Sequence, residues 1–183
     1  MNKIYTGIGS RSTPNLILEA FKALGKQLAE EGYTLRSGRA EGADSYFEIG
    51  ARDAKGNCEI FLPWDGFSGN ASLSQYPAIV LPTSGELYDR AKESVIDYHP
   101  APSRLNKGGM KLMARNYLQI YGTNIENPIL SDFVICYTSD GKASGGTGQA
   151  LRIAEDLNIP IFNAFGYETK PNDFITDVLN NVL

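Results

Sequence analysis

Four short stretches of this 183-residue chain set glycine beside hydroxyl or charged side chains. They are GIGSRST from Gly7, RSGRAEGAD from Arg36, PWDGFSG from Pro63 and TSDGKASGGTG from Thr138. Glycine lets a ligand come close to the backbone, and the N–H groups at a helix N-terminus attract anions. Ser144, Gly145, Gly146 and Thr147, running straight into a helical pattern, therefore read as one wall of a phosphate cradle. Arg11, Arg36, Arg39, Arg104, Lys107, Lys111 and Arg115 are seven of the 17 Lys and Arg, and all fall in or beside these loops and the segment between them. Arginines gathered near glycine loops suit a phosphate-bearing ligand. No P-loop lysine follows the glycines, so Walker-type ATP hydrolysis is not indicated. Asp44, Glu41, Glu48 and Asp140 are the carboxylates near the loops that could do acid–base work. Their plainer readings are a helix N-terminal charge for Asp44 and a solvent-facing Glu48. Trp64, Phe67 and Tyr76 could stack on a base, or simply pack their loop onto the core.

The elements that must hold these loops follow from periodicity. KIYTGIGS reads as a strand over 3–8 that breaks at Gly9. Thr13 then offers an N-cap and Pro14 a first helical position, ahead of an apolar face at Ile17, Phe21, Leu24 and Leu28. YTLRSG and CEIFLPW are further strands, with a helix on Ala43, Phe47, Ala51 and Ala54 between them. Trp64 to Gly109 is looser and reads as an irregular insertion, carrying a short AIVLP run and a helix over Ser84–Asp97. A helix over 109–122 follows, then SDFVICYT, a near-continuous apolar run of the kind a central parallel strand shows. A helix on Ala150, Ala154 and Leu157, the strand IPIFNAF and a helical tail over 172–183 complete the pattern. Such alternation implies an α/β chain with a Rossmann-like, doubly wound, mainly parallel sheet and helices on both faces, in one domain over 1–183. Ligands of such sheets bind at the carboxyl ends of the strands, which is where the four glycine loops fall.

Bulk properties remove several function classes. A chain of this length buries roughly 70% of the surface its unfolded form exposes, so it needs no staple. Cys58 and Cys136 lie inside apolar runs and read as free thiols; with His99 the only histidine, no metal-ligand cluster is expected. No run of about 18 apolar residues is present and the N-terminus lacks a signal-peptide core, so a cytoplasmic protein without membrane contact is expected. A net charge of -4 argues against a generally basic nucleic-acid binder.

Taken in order, GIGSR, SGRAEGAD, MARN and SDFVICYTSDGKASGGTGQALRIAEDLNIPIFN resemble the DNA-processing protein A (Smf) and LOG-like superfamily of Rossmann proteins, the SLOG group. The resemblance spans about residues 3–165, and standalone members with the SGGTGQA form are common in phage and bacterial genomes, which would place a phage-encoded chain in the host cytoplasm. It implies a nucleotide or nucleic-acid phosphate site. Gly9, Ser10 and Arg11 match the family's first glycine loop. Ser37, Gly38, Gly42 and Asp44 match its second motif, with Arg39 where a small residue is usual. Arg115 and Asn116 match an Arg-Asn-Arg motif whose second Arg is here Tyr117, and Ser144 and Gly145 match its helix-start motif. LOG enzymes, which release a base from a nucleoside monophosphate, need a glutamate where this chain has Arg152, and a threonine where it has Gln149. An arginine cannot replace that carboxylate, so the expectation leans from hydrolysis to binding. The expected partner is a nucleotide-derived small molecule held by Arg11, Arg39, Arg115, Gly146, Thr147 and the other loop residues, with no cofactor. The alternatives are an N-glycosidase using another carboxylate, or a single-stranded DNA binder in recombination. Relatives of this fold commonly oligomerise, which makes a homo-oligomer the expectation here.

Overall fold

The computed structural model describes residues 3–67 and 71–183. Strands and helices alternate as β1 (Ile4–Gly9), α1 (Asn15–Glu30), β2 (Thr34–Ser37), α2 (Ala43–Asp53), β3 (Cys58–Leu62), β4 (Ile79–Val80), α3 (Glu86–Tyr98), α4 (Lys107–Tyr121), β5 (Phe133–Tyr137), α5 (Gly148–Asp156), β6 (Ile161–Asn163) and α6 (Pro171–Val182). The sheet order is β4-β3-β2-β1-β5-β6, and every pairing is parallel. The chain winds outward from β1 through β4, then returns to lay β5 on the other side of β1. That reversal leaves a crevice between the carboxyl ends of β1 and β5.

Both faces of the sheet are covered. On one, Ile17, Phe21, Leu24 and Leu28 of α1 pack with Phe47 of α2 and Phe174 and Val178 of α6 over Tyr5, Leu35 and Ile135. On the other, α3, α4 and α5 bury Ala91, Val95, Ala114, Leu118, Ala150 and Ile153 against Ile8, Phe61, Val134 and Cys136. A strand covered on both faces has no polar side to present, which is why Phe133–Tyr137 is apolar and buried throughout. Helices α1 and α2 touch backbone to backbone: a Cβ on Gly50 would lie 2.0 Å from the Lys22 carbonyl oxygen, and one on Gly25 would lie 2.6 Å from that of Phe47.

Several local expectations shift. Pro14, not Thr13, stands at the N-cap of α1, because the Thr13 Oγ1 turns back to donate to the Ser10 carbonyl at 2.6 Å. Helix α4 starts at Lys107, two residues before the expected 109, since Asn106 Oδ1 accepts from Gly109 N at 2.7 Å and caps it. Helix α3 spans Glu86–Tyr98 rather than Ser84–Asp97. The AIVLP run contributes only a two-residue edge strand, exposed on its outer side. Cys58 and Cys136 are free, and burial raises their thiols to about 11 and about 12, far from the thiolate a nucleophile needs. Among the described residues no group of His, Cys, Asp or Glu gathers as a metal ion would require, and no helix is long and apolar enough to cross a membrane.

Candidate functional site

At the β1/β5 crevice lies a cavity of about 460 Å³. The loop after β1 supplies Gly9, Ser10 and Arg11, the start of α2 supplies Asp44, and the loop before α5 supplies Ser144, Gly145, Gly146 and Thr147. One face of α4 closes it with Leu112, Met113, Arg115, Asn116 and Gln119, and Phe67 approaches from the insertion.

The wall before α5 is shaped by its own side chains. Asp140 accepts from Ser144 Oγ at 2.8 Å and from Lys142 N at 3.1 Å, and these donors hold its carboxyl below the usual range. Asn116 Nδ2 donates to the Gly146 carbonyl at 2.7 Å, tying the loop to α4. Gly145 takes φ +60, a left-handed conformation glycine adopts without strain. The first helical bond runs from Gly148 N to the Ser144 carbonyl. The N–H groups of Gly145, Gly146 and Thr147 have no partner among the described residues. Adjacent N–H donors at a helix N-terminus are groups from which an anion can accept.

The floor is charged but internally organised. Asp44, 4% exposed, accepts from Gly9 N at 3.2 Å and Gly38 N at 3.1 Å, so it joins the first two glycine loops. Burial raises its carboxyl to about 6, against the opposing pull of Arg115 and its N–H donors. Arg115 donates through Nη1 to the carbonyls of Gly38 and Phe61 at 2.7 and 2.8 Å, and through Nε to Asn116 Oδ1 at 3.2 Å. Burial lowers the Arg115 guanidinium, Asp44 counters that, and the positive charge of Arg11 lowers it further. Arg11 is exposed, lines the cavity and has no ion-pair partner among the described residues. Arg11 and Arg115 thus line the same cavity as three N–H groups that are unpartnered among the described residues.

No protein-family model and no curated protein matches the sequence. Solved structures do match in shape. DNA processing protein A from Helicobacter pylori, described for its single-stranded DNA binding mode, aligns at a TM-score of 0.61 with 16% identity, covering 98% of this chain and 82% of that one. The molybdenum cofactor carrier protein of Chlamydomonas reinhardtii aligns at 0.51 with 16% identity, covering 97% and 95%. The fold is similar to that of DNA processing protein A. At this identity the likeness shows the fold alone, and the chemistry rests on the residues themselves.

Ten of the residues singled out from sequence line one cavity: Gly9, Ser10, Arg11, Asp44, Arg115, Asn116, Ser144, Gly145, Gly146 and Thr147. Four do not. Ser37 is buried and donates to the Gly7 carbonyl at 2.6 Å, bracing β1. Gly38 lies beneath Arg115, where a Cβ would fall 2.0 Å from Nη1. Gly42 caps α2 at φ +91, against the loop at Ser10 and Arg11. Arg39, expected on phosphate, is 2% exposed and bonded through Nε and Nη2 to the fully buried Glu48 at 3.0 and 2.6 Å, with Nη1 on the Tyr76 carbonyl at 3.2 Å. Its donors are engaged inside the protein. Arg36 likewise bonds Glu59 and the carbonyls of Ile120 and Ile129, so the basic residues do not share one direction.

Arg152 does not line the cavity. It donates to the carbonyls of Tyr98 and Ala143 and to Gln149 Oε1, pinning the entry of α5 to the end of α3. Of the four carboxylates considered, Glu48 is the partner of Arg39, and Glu41 and Asp140 do not line the cavity; Asp44 alone does. Of the aromatic trio, Phe67 lines it with Trp64 edge-on behind at 5.3 Å, while Tyr76 lies under the Arg52 guanidinium. The sequence reading missed Ile8, Ala40, Leu112, Met113, Gln119, Thr138 and Ser139 as lining residues. A signal existed for Gln119: four residues past Arg115, it shares that helix face.

Proposed function

We propose that this cavity binds a nucleotide-derived, phosphate-bearing small molecule, the phosphate resting on the N–H groups of Gly145, Gly146 and Thr147 with Arg11 as its counter-charge. The observation that carries this reading is a row of three donors, unpartnered among the described residues, lining the same cavity as a cation that has no ion-pair partner among them. Water can reach these groups at the mouth of the cavity, and an anion that replaces it would gain charge-assisted hydrogen bonds. Size favours a small molecule: small-molecule pockets span roughly 300–1,000 Å³, and this cavity falls within that range. The similarly folded proteins are described as binding single-stranded DNA and carrying the molybdenum cofactor, so the fold serves unlike ligands. A net charge of -4 disfavours a long polyanion here.

Thermal shift and calorimetry with nucleoside monophosphates, cyclic nucleotides, ADP-ribose and an oligonucleotide test this. A ligand at 100 times its Kd stabilises the folded state by about 2.7 kcal/mol. Arg11→Ala is expected to weaken phosphate-bearing ligands about tenfold, one charge-assisted contact, without changing the ligand-free melting temperature. A folded protein that responds to none of them overturns the proposal. Release of free base from a bound nucleotide would instead make the site hydrolytic, with Asp44 the carboxylate in place.

A further inference from the structure

One side chain in the cavity is buried, polar and unmatched. Gln119 is 2% exposed and sits on α4 one turn beyond Arg115 and Asn116. Its backbone is pinned, because its carbonyl accepts from Thr6 Oγ1 at 2.6 Å and from Ser131 Oγ at 3.2 Å. The side-chain carboxamide is different. It lines the cavity, and neither Oε1 nor Nε2 has a hydrogen-bond partner among the described residues. Neither atom is sealed in the interior: the amide opens onto the cavity, where water meets it until a ligand group of matching pattern takes the water's place.

The surroundings keep the carboxamide in place. Its Nε2 lies 2.7 Å from where a Cβ of Gly38 would stand, so the absence of a side chain at Gly38 makes room for both Gln119 and the Arg115 guanidinium. On the same face of α4, Leu112 and Met113 add apolar surface, and Phe67, whose ring lies 5.7 Å from the Arg115 guanidinium carbon, adds a flat wall. A carboxamide presents one donor and one acceptor side by side and carries no charge. It is therefore a poor seat for phosphate, whose seat lies on the other wall. What it matches is a planar ring edge that itself carries adjacent donor and acceptor groups, set among apolar surface. That is the edge of a nucleobase, the group a glutamine reads with two parallel hydrogen bonds.

We propose that Gln119 is the residue that recognises the base of the ligand, and that it sets which base the cavity accepts. This rests on the phosphate reading of the same cavity and deepens it. The affinity of the folded protein for the four nucleoside monophosphates and for ribose 5-phosphate, which has no base, tests it. In the wild-type protein the preferred monophosphate is expected to bind at least about tenfold tighter than ribose 5-phosphate, the discrimination of one good bidentate contact. Gln119→Leu is expected to collapse that ratio towards one and level the differences among bases, leaving ribose 5-phosphate within about twofold. The same variant should melt close to wild type, since among the described residues the amide has no protein hydrogen bond to lose. Gln119→Glu keeps the shape but offers only acceptors when ionised, and should change which base is preferred.

A ratio that survives both substitutions overturns the assignment. So does a wild-type protein that binds ribose 5-phosphate as tightly as every monophosphate, and in that case the phosphate site stands without a base reader. Parallel loss of all ligands in Gln119→Leu, with a lowered melting point, would make Gln119 a structural support and also overturns it. Failure of every probe to bind the wild-type protein removes both proposals together.

Discussion

The loop after β2 and the loop before α5 look alike as text: SGRAEGAD and SGGTGQA each join a serine–glycine pair to a helix, and each has an arginine close by. In the folded chain they differ in kind. In the first, donors meet acceptors from the same neighbourhood: Asp44 takes the N–H groups of Gly9 and Gly38, Glu48 takes Arg39, and the Gly38 carbonyl takes Arg115. In the second, the carbonyl of Gly146 is satisfied by Asn116, while three consecutive N–H groups of cavity-lining residues have no partner among the described residues. One loop is a brace; under the proposed function the other is a receptor. A glycine-rich turn into a helix is thus only a supply of donors, and what accepts from them decides its role.

The sharpest way to break this contrast is to damage the brace. Glu48→Ala leaves the Arg39 guanidinium buried beside an empty space, and removing one partner of a buried pair costs about 3–5 kcal/mol. Denaturant unfolding should show that loss, while affinity of the folded protein for a phosphate ligand stays within twofold. An undiminished stability would mean the pair is not a brace.

Asp44 offers a smaller effect with a definite sign. Its folded-state carboxyl titrates at about 6, above the ordinary value near 4 of the unfolded chain. The folded protein therefore holds this proton more tightly than the unfolded one between those values. The contribution is fully present below about pH 4 and is lost as pH rises through about 6, a change on the order of 3 kcal/mol. Urea unfolding from pH 4 to 7 should show wild type losing stability relative to Asp44→Asn over that window. Parallel curves would show that the buried carboxyl is not perturbed.

The receptor loop gives the smallest effect on stability and a selective one on binding. A Cβ at Gly146 would meet nothing closer than Met113 Cε at 3.8 Å, an ordinary contact. Gly146→Asp should then fold with stability within about 0.5 kcal/mol of wild type. Its carboxylate beside the three N–H groups should cut phosphate-ligand affinity on the order of a hundredfold, a loss of about 2.7 kcal/mol. Retained affinity in the folded variant would reduce this loop to a second brace.

Much of the architecture was legible because it is local. Ile17, Phe21, Leu24 and Leu28 recur at helical spacing, and Phe133–Tyr137 shows the unbroken apolar run of a strand covered on both faces. Thr13 misled because hydroxyls also bond backward to a turn carbonyl, and composition does not distinguish that from a cap. Gln119 was passed over because an isolated glutamine on a helix is ordinary until its surroundings are known to lack a partner for it.

By itself the sequence determined the order of strands and helices and the four glycine loops, since these follow from periodicity and from backbone conformations available within a few residues. Only the tertiary structure decided which arginines are available to a ligand. Arg115 finds the Gly38 carbonyl 77 residues away and Arg152 finds that of Tyr98 54 residues away, whereas Arg11 finds no carboxylate among the described residues. A charge is neutralised by whatever stands within a few ångströms of it. In a parallel sheet that neighbour arrives from a distant part of the chain, through crossovers that no local pattern records.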